Sequence, residues 1–219
     1  MFGKIGIFVL IVLLNACASI PQPNGNQLVA DKPLETVTEE QGRSVSRYLD
    51  AERLSKISRY ALPDIALSLP AENPDISPEQ LALISNALNR SICTRLGQYL
   101  AADPEASGEA MRVDVSLTGI TPTSKSIAGL SAAVDTFVPG PFRIPVGMGA
   151  IALDARASND AGTLAFMRWA KGANPVFNSA KVSSIGDAYA LIETFTREFG
   201  QLLLQGAGGE EKRPKLPEQ

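Results

Sequence analysis

The stretch "IALDARASNDAGTLAFMRWAK", residues 151–171, constrains the fold more than any other part of the chain. Ile151, Leu153, Ala155 and Ala157 fall at every second place before "NDAG", and a second apolar arm, "TLAFMRWAK", follows it. A period of two means a strand with one dry face. Asn159 and Gly162 suit the first and fourth positions of a type I turn, and Gly162 can supply the left-handed residue of a three-residue hairpin loop. This register predicts Leu153 opposite Trp169 and Ala155 opposite Met167 on one face, with Asp154 opposite Arg168 on the other. A two-residue loop would set Leu153 against Arg168. Apolar side chains meeting apolar ones, and opposite charges meeting, favour the longer loop. The Asp154–Arg168 pair is expected to be exposed and to contribute less than about 1 kcal/mol.

A sheet with one dry face needs a covering layer. Two segments have the periodicity to supply it. In "SPEQLALISNALNRSICTRLGQYL", Ser77 suits the cap, Pro78 the first helical position, and Gln80 the third place of a capping box. Leu81, Ile84, Leu88, Ile92, Leu96 and Tyr99 then form one apolar stripe. The second helix is predicted to start at Ser184 with Asp187 three residues on. Its stripe is Ile185, Ala188, Ile192, Phe195, Phe199 and Leu202, and Glu193 and Arg197 read as an ordinary surface pair. "MRVDVSLTG", from Met111, alternates as a strand. "YALPDIALSL", residues 60–69, reads as a strand whose Pro63 implies an edge or a bulge. The charged segment 39–59 reads as a short helix plus a loop. Together these predict an α/β (α+β) fold: a two-layer sandwich with a mostly antiparallel sheet of about four strands and two long amphipathic helices on one face. Residues 35–205 form the expected single globular domain, and the charged, Pro-containing stretch 206–219 an expected disordered tail.

The start of the chain carries a different signal. Residues 5–14 are all apolar or Gly, preceded by Lys4. Ten residues are too few to cross a bilayer, which needs about 20. A short positive start, a short apolar run and small residues at its end describe a secretory signal. Here the chain resembles bacterial lipoproteins, whose lipobox has Leu three places before Cys and a small residue just before it. Leu14, Ala16 and Cys17 match, whereas Asn15 departs from the usual small or β-branched residue. The resemblance implies a diacylglyceryl thioether on Cys17, cleavage before it, and acylation of the new amino group. Residues 1–16 are then a signal peptide, and 17–34 a lipidated cysteine with a flexible tether reaching roughly 20–25 Å as a random coil. Ala18, in place of Asp, implies the outer membrane by the same resemblance, with the domain on the periplasmic side. The alternative is an ordinary signal peptide cut nearby, with Cys17 incidental.

Catalytic signals are weak. The chain has no His, which removes Ser–His–Asp and Cys–His arrangements and the commonest transition-metal ligand. "GLSAA", residues 129–133, lacks the second Gly of a nucleophile elbow. Cys93, between Ile92 and Leu96 of the first helix pattern, reads as a small buried hydrophobe. A glycosidase-like carboxylate pair cannot be recognised from sequence spacing. No enzyme activity, metal or cofactor is expected. A net charge of −3 without a basic cluster argues against a nucleic-acid partner.

The segment "DTFVPGPFRIPVGMG", residues 135–149, holds Phe137, Phe142, Ile144 and Met148 among three Pro and three Gly. It reads either as a loop folded over the sheet or as an interaction loop docking onto an envelope partner or lipid headgroups.

On the Pro-containing first strand, the "SPEQLALISNAL" helix, the "DARASNDAGTLAF" hairpin and the closing helix, the chain is similar over about 60–204 to a family of uncharacterised bacterial lipoproteins, catalogued as a domain of unknown function. That resemblance implies a fold and brings no activity or site. Two functions are expected in consequence. The first is an outer-membrane-anchored lipoprotein, held through lipid on Cys17, whose non-catalytic domain binds another envelope protein. The alternative is a periplasmic carrier or sensor of an apolar small molecule, lodged between sheet and helices behind Trp169.

Overall fold

The computed structural model describes residues 27–40, 42–67, 76–105, 110–121, 149–172 and 186–205. Cys17, the loop residues Phe137, Phe142, Ile144 and Met148, the cap at Ser184 and the tail 206–219 lie outside the described residues.

The fold is α+β. Strands β1 (Glu35–Glu40) and β2 (Arg43–Leu49) lead into a four-residue helix, α1 (Ala51–Leu54). Short strands β3 (Arg59–Ala61) and β4 (Ala66–Leu67) precede helix α2 (Pro78–Gly97), and β5 (Ala101–Ala102) follows it. Three long strands, β6 (Met111–Thr121), β7 (Ala150–Asn159) and β8 (Gly162–Gly172), come before helix α3 (Gly186–Gln205). One sheet of eight strands contains them all in the order β1-β2-β8-β7-β6-β3-β5, with β4 also paired to β6.

This corrects the expectation of a four-stranded, mostly antiparallel sheet. The sheet is mixed: β3 and β4 run parallel to β6, and β5 parallel to β3. Segment 43–49, expected within a helix and loop, is strand β2, paired antiparallel to β8 along its whole length. Its one well-buried side chain is Val45, too little apolar content for a period to show. Pro63 falls between β3 and β4, where a missing backbone donor interrupts no ladder.

The β7–β8 register has Leu153 opposite Trp169, Ala155 opposite Met167 and Asp154 opposite Arg168. Gly162 adopts φ 109°, a left-handed value that favours glycine. The ladder slips between Ala157 and Ser158. Thr163 therefore pairs with Ser158 and Ala165 with Ala157, leaving Leu164 as the extra residue of a bulge. Asn159 Oδ1 accepts from the Ala161 amide at 3.1 Å and from Arg53 Nη2 at 2.8 Å, tying the turn to α1.

Trp169, the only tryptophan, is fully buried and sits between Val45 and Leu153 on the neighbouring strands. Phe195 of α3 meets it edge-on, with ring centroids 5.6 Å apart, and Phe199 stacks on Phe195 at 5.7 Å. Burying one large aromatic side chain contributes about 4–6 kcal/mol at ~25 cal/mol per Å². Its indole N–H donates to Glu198 Oε2 at 2.8 Å, and Arg43 of β2 holds the same oxygen at 2.9 Å. Helix α2 begins with the reciprocal capping box of Ser77 and Gln80 and buries Ile84, Leu88, Ile92 and Leu96.

The other face of the sheet is not simply wet. Asp154 is 1% exposed and is bridged by Arg168 through Nε at 3.0 Å and Nη2 at 3.1 Å. The Leu28 amide donates to Asp154 Oδ2 at 3.1 Å, and the Leu28 carbonyl accepts from Arg168 Nη2 at 3.2 Å. Residues 27–34, expected to be free tether, thus include a strap docked on the middle of the sheet. Hydrogen bonding from the Thr163 hydroxyl lowers the Asp31 carboxyl below its ordinary range. The pair expected to be exposed is half-buried because this strap lies over it. Nearby, Asp114 is held by Arg112 Nε at 2.9 Å and by Arg156 Nη2 at 3.1 Å.

Two outcomes follow from these contacts. Asp154→Ala leaves Arg168 and the Leu28 amide without their shared acceptor and should destabilise the domain by about 2 kcal/mol. Urea unfolding measures that loss, and faster hydrogen exchange at the Leu28 amide locates it; unchanged exchange would show that the strap is held elsewhere. The second concerns Tyr60, whose phenol donates to the Cys93 carbonyl at 3.2 Å. Burial, with Cys93 alongside, pushes its pKa up to about 12 from 10. The folded state therefore keeps a proton that the unfolded chain releases. The associated stability is complete below pH 10 and lost as pH rises towards about 12. In an ultraviolet titration one tyrosine should ionise late, and Tyr60→Phe should remove that late step.

Candidate functional site

Helices α2 and α3 pack side by side, and their outward flanks enclose a groove of about 640 Å³. The stem of Arg95, near the end of α2, lies against Gly200, near the end of α3: a Cβ at position 200 would come within 2.7 Å of Arg95 Cγ. Leu83 and Tyr189, near the beginnings of the two helices, line the same groove. The helices therefore run in the same direction, and the groove follows them. From Leu83 to Gln98 it extends about 22 Å at ~1.5 Å per residue.

Its composition changes along that length. Leu83, Ala87 and Tyr189 make the first part apolar, and Leu83 is 52% exposed. Arg90, Arg95 and Arg197 line the rest, with Glu193 the one acidic side chain of the lining. Ile192 and Thr196, both buried, form the floor. Glu193 and Arg197 make no ion pair with each other among the described residues, although their spacing predicted a surface pair.

Thr196 is the exceptional floor residue. It is 4% exposed, and its hydroxyl has no hydrogen-bond partner among the described residues. Thr194, two residues earlier on the same helix, donates to the Ala190 carbonyl at 3.2 Å. A buried hydroxyl left unpaired costs about 1–3 kcal/mol.

Other sequence candidates fare differently. Cys93 is a free thiol, half-buried rather than fully buried, with Sγ 3.5 Å from Asn89 Oδ1. The space behind Trp169, where an apolar ligand was to lodge, is occupied by Phe195 and Phe199. Asp154, Asp114, Asp103 and Glu198 all serve structural ion pairs. No His, Cys, Asp and Glu grouping suited to a metal occurs among the described residues, and no described helix is long and apolar enough to cross a membrane. The groove was not legible beforehand, because its arginines come from two helices and each reads alone as a solvated side chain.

Among solved structures, the chain is similar to a leucine-to-methionine variant of the PelC dodecamer from Paraburkholderia phytofirmans at 7% identity and TM-score 0.39, covering 77% of this chain and 98% of that one. It is similar to a second PelC dodecamer structure from the same organism at 11% identity and TM-score 0.38, covering 68% and 93% respectively. No curated protein matches the chain. The family model described as "protein of unknown function (DUF3313)" matches residues 26–199, taking in the strap, the whole sheet and most of α3. The expected likeness to an uncharacterised domain family therefore holds, and the chain belongs to the DUF3313 family of proteins of unknown function.

Proposed function

We propose that this protein is an outer-membrane-anchored lipoprotein, attached through lipid on Cys17, whose domain is a non-catalytic module for binding another envelope protein. The observation that carries this reading is the open, charged groove between α2 and α3. It lies on the helical side of the sheet, whereas the strap at Leu28 lies on the opposite face. Leu28 follows Cys17 by only eleven residues. Eleven residues reach at most about 38 Å, and roughly 17–20 Å as a random coil. A lipid on Cys17 would keep the strapped face nearest the bilayer and leave the helical face to a partner. Carboxylates committed to arginines and to the indole N–H further support a binding role over acid–base chemistry.

Metabolic labelling with a fatty-acid analogue tests the anchor. The wild-type chain should be labelled and recovered in the outer-membrane fraction. Cys17→Ser should be unlabelled and released on osmotic shock. Equal labelling of the two proteins would end the lipoprotein reading.

A further inference from the structure

We propose that the α2–α3 groove is a binding site for an acidic, partly apolar peptide segment of a partner protein, lying along the two helices with its carboxylates on Arg90 and Arg197. This deepens the interaction-module reading and rests on it, by naming the chemistry of the partner.

Charge is the first argument. The lining carries three arginines against one glutamate, in a chain whose net charge is −3. A positive furrow in an acidic molecule is a local departure that attracts anions. Arg90 and Arg197 are exposed and rotate freely enough to grip carboxylates in the two-pronged geometry that guanidinium favours.

Shape is the second. A furrow about 22 Å long suits an extended or helical chain, whereas a small anion would use only one end. It is also concave. Thr196 lies on its floor at 4% exposure with its hydroxyl oxygen closed to solvent, beyond the reach of a flat headgroup layer and reached only by a side chain that parts the residues lining the groove. The unpaired Thr196 hydroxyl is the third argument: a polar atom of the inserted segment would give it the partner that this helix does not. The apolar start of the groove, at Leu83, Ala87 and Tyr189, calls for a leucine or similar residue at one end of the segment. Grooves between helices commonly take amphipathic segments in this way.

The test uses the full chain in an uncharged detergent and a fluorescein-labelled amphipathic peptide of about 14 residues, the length that spans ~21 Å as a helix. The peptide carries Glu on its charged side and Leu on its apolar side. Anisotropy should show saturable binding that weakens as salt rises. Arg90→Glu and Arg197→Glu should each weaken it about tenfold or more, and Glu193→Lys should strengthen it. These side chains are exposed, so the variants should melt with the wild type. Thr196→Val should melt no lower than wild type, since it removes an unpaired buried hydroxyl, yet bind the peptide several-fold more weakly.

Absence of binding, or binding unaffected by the arginine reversals, overturns the proposal. So does arginine-dependent binding to phosphatidylglycerol vesicles in preference to the peptide, which would make the ligand a lipid headgroup. Full competition by inorganic phosphate at equal concentration overturns it in favour of a small-anion site. None of these readouts depends on acylation, so Cys17→Ser protein should bind the peptide equally. Failure of the anchor and failure of the groove are therefore separate results.

Discussion

Burying the one tryptophan while satisfying its N–H is the constraint around which the domain is arranged. The Trp169 ring needs apolar neighbours on both sides, and β2 and β7 provide Val45 and Leu153 in register. It needs a cover, and α3 brings Phe195 edge-on. Its indole N–H then needs an acceptor in a place largely closed to water. Glu198, one turn beyond Phe195 on the same helix, provides it. A half-buried carboxylate in turn needs a cation, and Arg43 at the start of β2 supplies one. One side chain thus couples a strand near the sheet edge, the central hairpin and the last helix. A shift of β2 by one residue would lose both the Val45 contact and the Arg43 contact, so apolar packing and electrostatics specify the same register.

The two faces of the sheet solve different problems. The helical face is apolar and is covered by packing. The opposite face carries charges in cross-strand rows, with Asp114 opposite Arg156 and Asp154 opposite Arg168. On the central row the chain's own strap replaces water, and Leu28 offers both its amide and its carbonyl to the ion pair. Backbone groups suit this purpose because they add a donor and an acceptor at fixed spacing without adding charge.

How far the sequence spoke depended on whether a signal was local. The register of the hairpin arms was legible because period-two alternation and cross-strand charges agreed within 21 residues, whereas the tip was not: it pairs Asn159 with Gly162 around a two-residue loop in place of the expected three-residue one, and the bulge at Leu164 restores the register. Helix α2 was legible from Ser77, Pro78 and Gln80, whose capping box forms as spaced. Strand β2 was not, since "RSVSRYL" buries little more than Val45 and takes its identity from pairing with β8. Strands β3 to β5 are two or three residues long, too short for any period, and exist through parallel pairing with distant partners. The groove failed to show for the same reason. Arg90 and Arg197 are 107 residues apart in the chain, and only the side-by-side packing of two helices brings them into one groove. The alternation pairs Asp154 with Arg168 but does not show their burial, because nothing in the hairpin itself reveals that a segment 126 residues upstream lies over the pair.

The strap has a mechanical meaning as well. A force applied at the amino terminus does not reach the sheet edge first. It arrives at Leu28, two hydrogen bonds from the middle of an eight-stranded sheet, and β1, an outermost strand, lies downstream of that point. The strap is held to that face by a few polar contacts, so it is the first described element that such a pull meets. A domain fastened at the centre of its face takes a pull from that end on the polar contacts of the strap before any edge strand of the sheet is drawn.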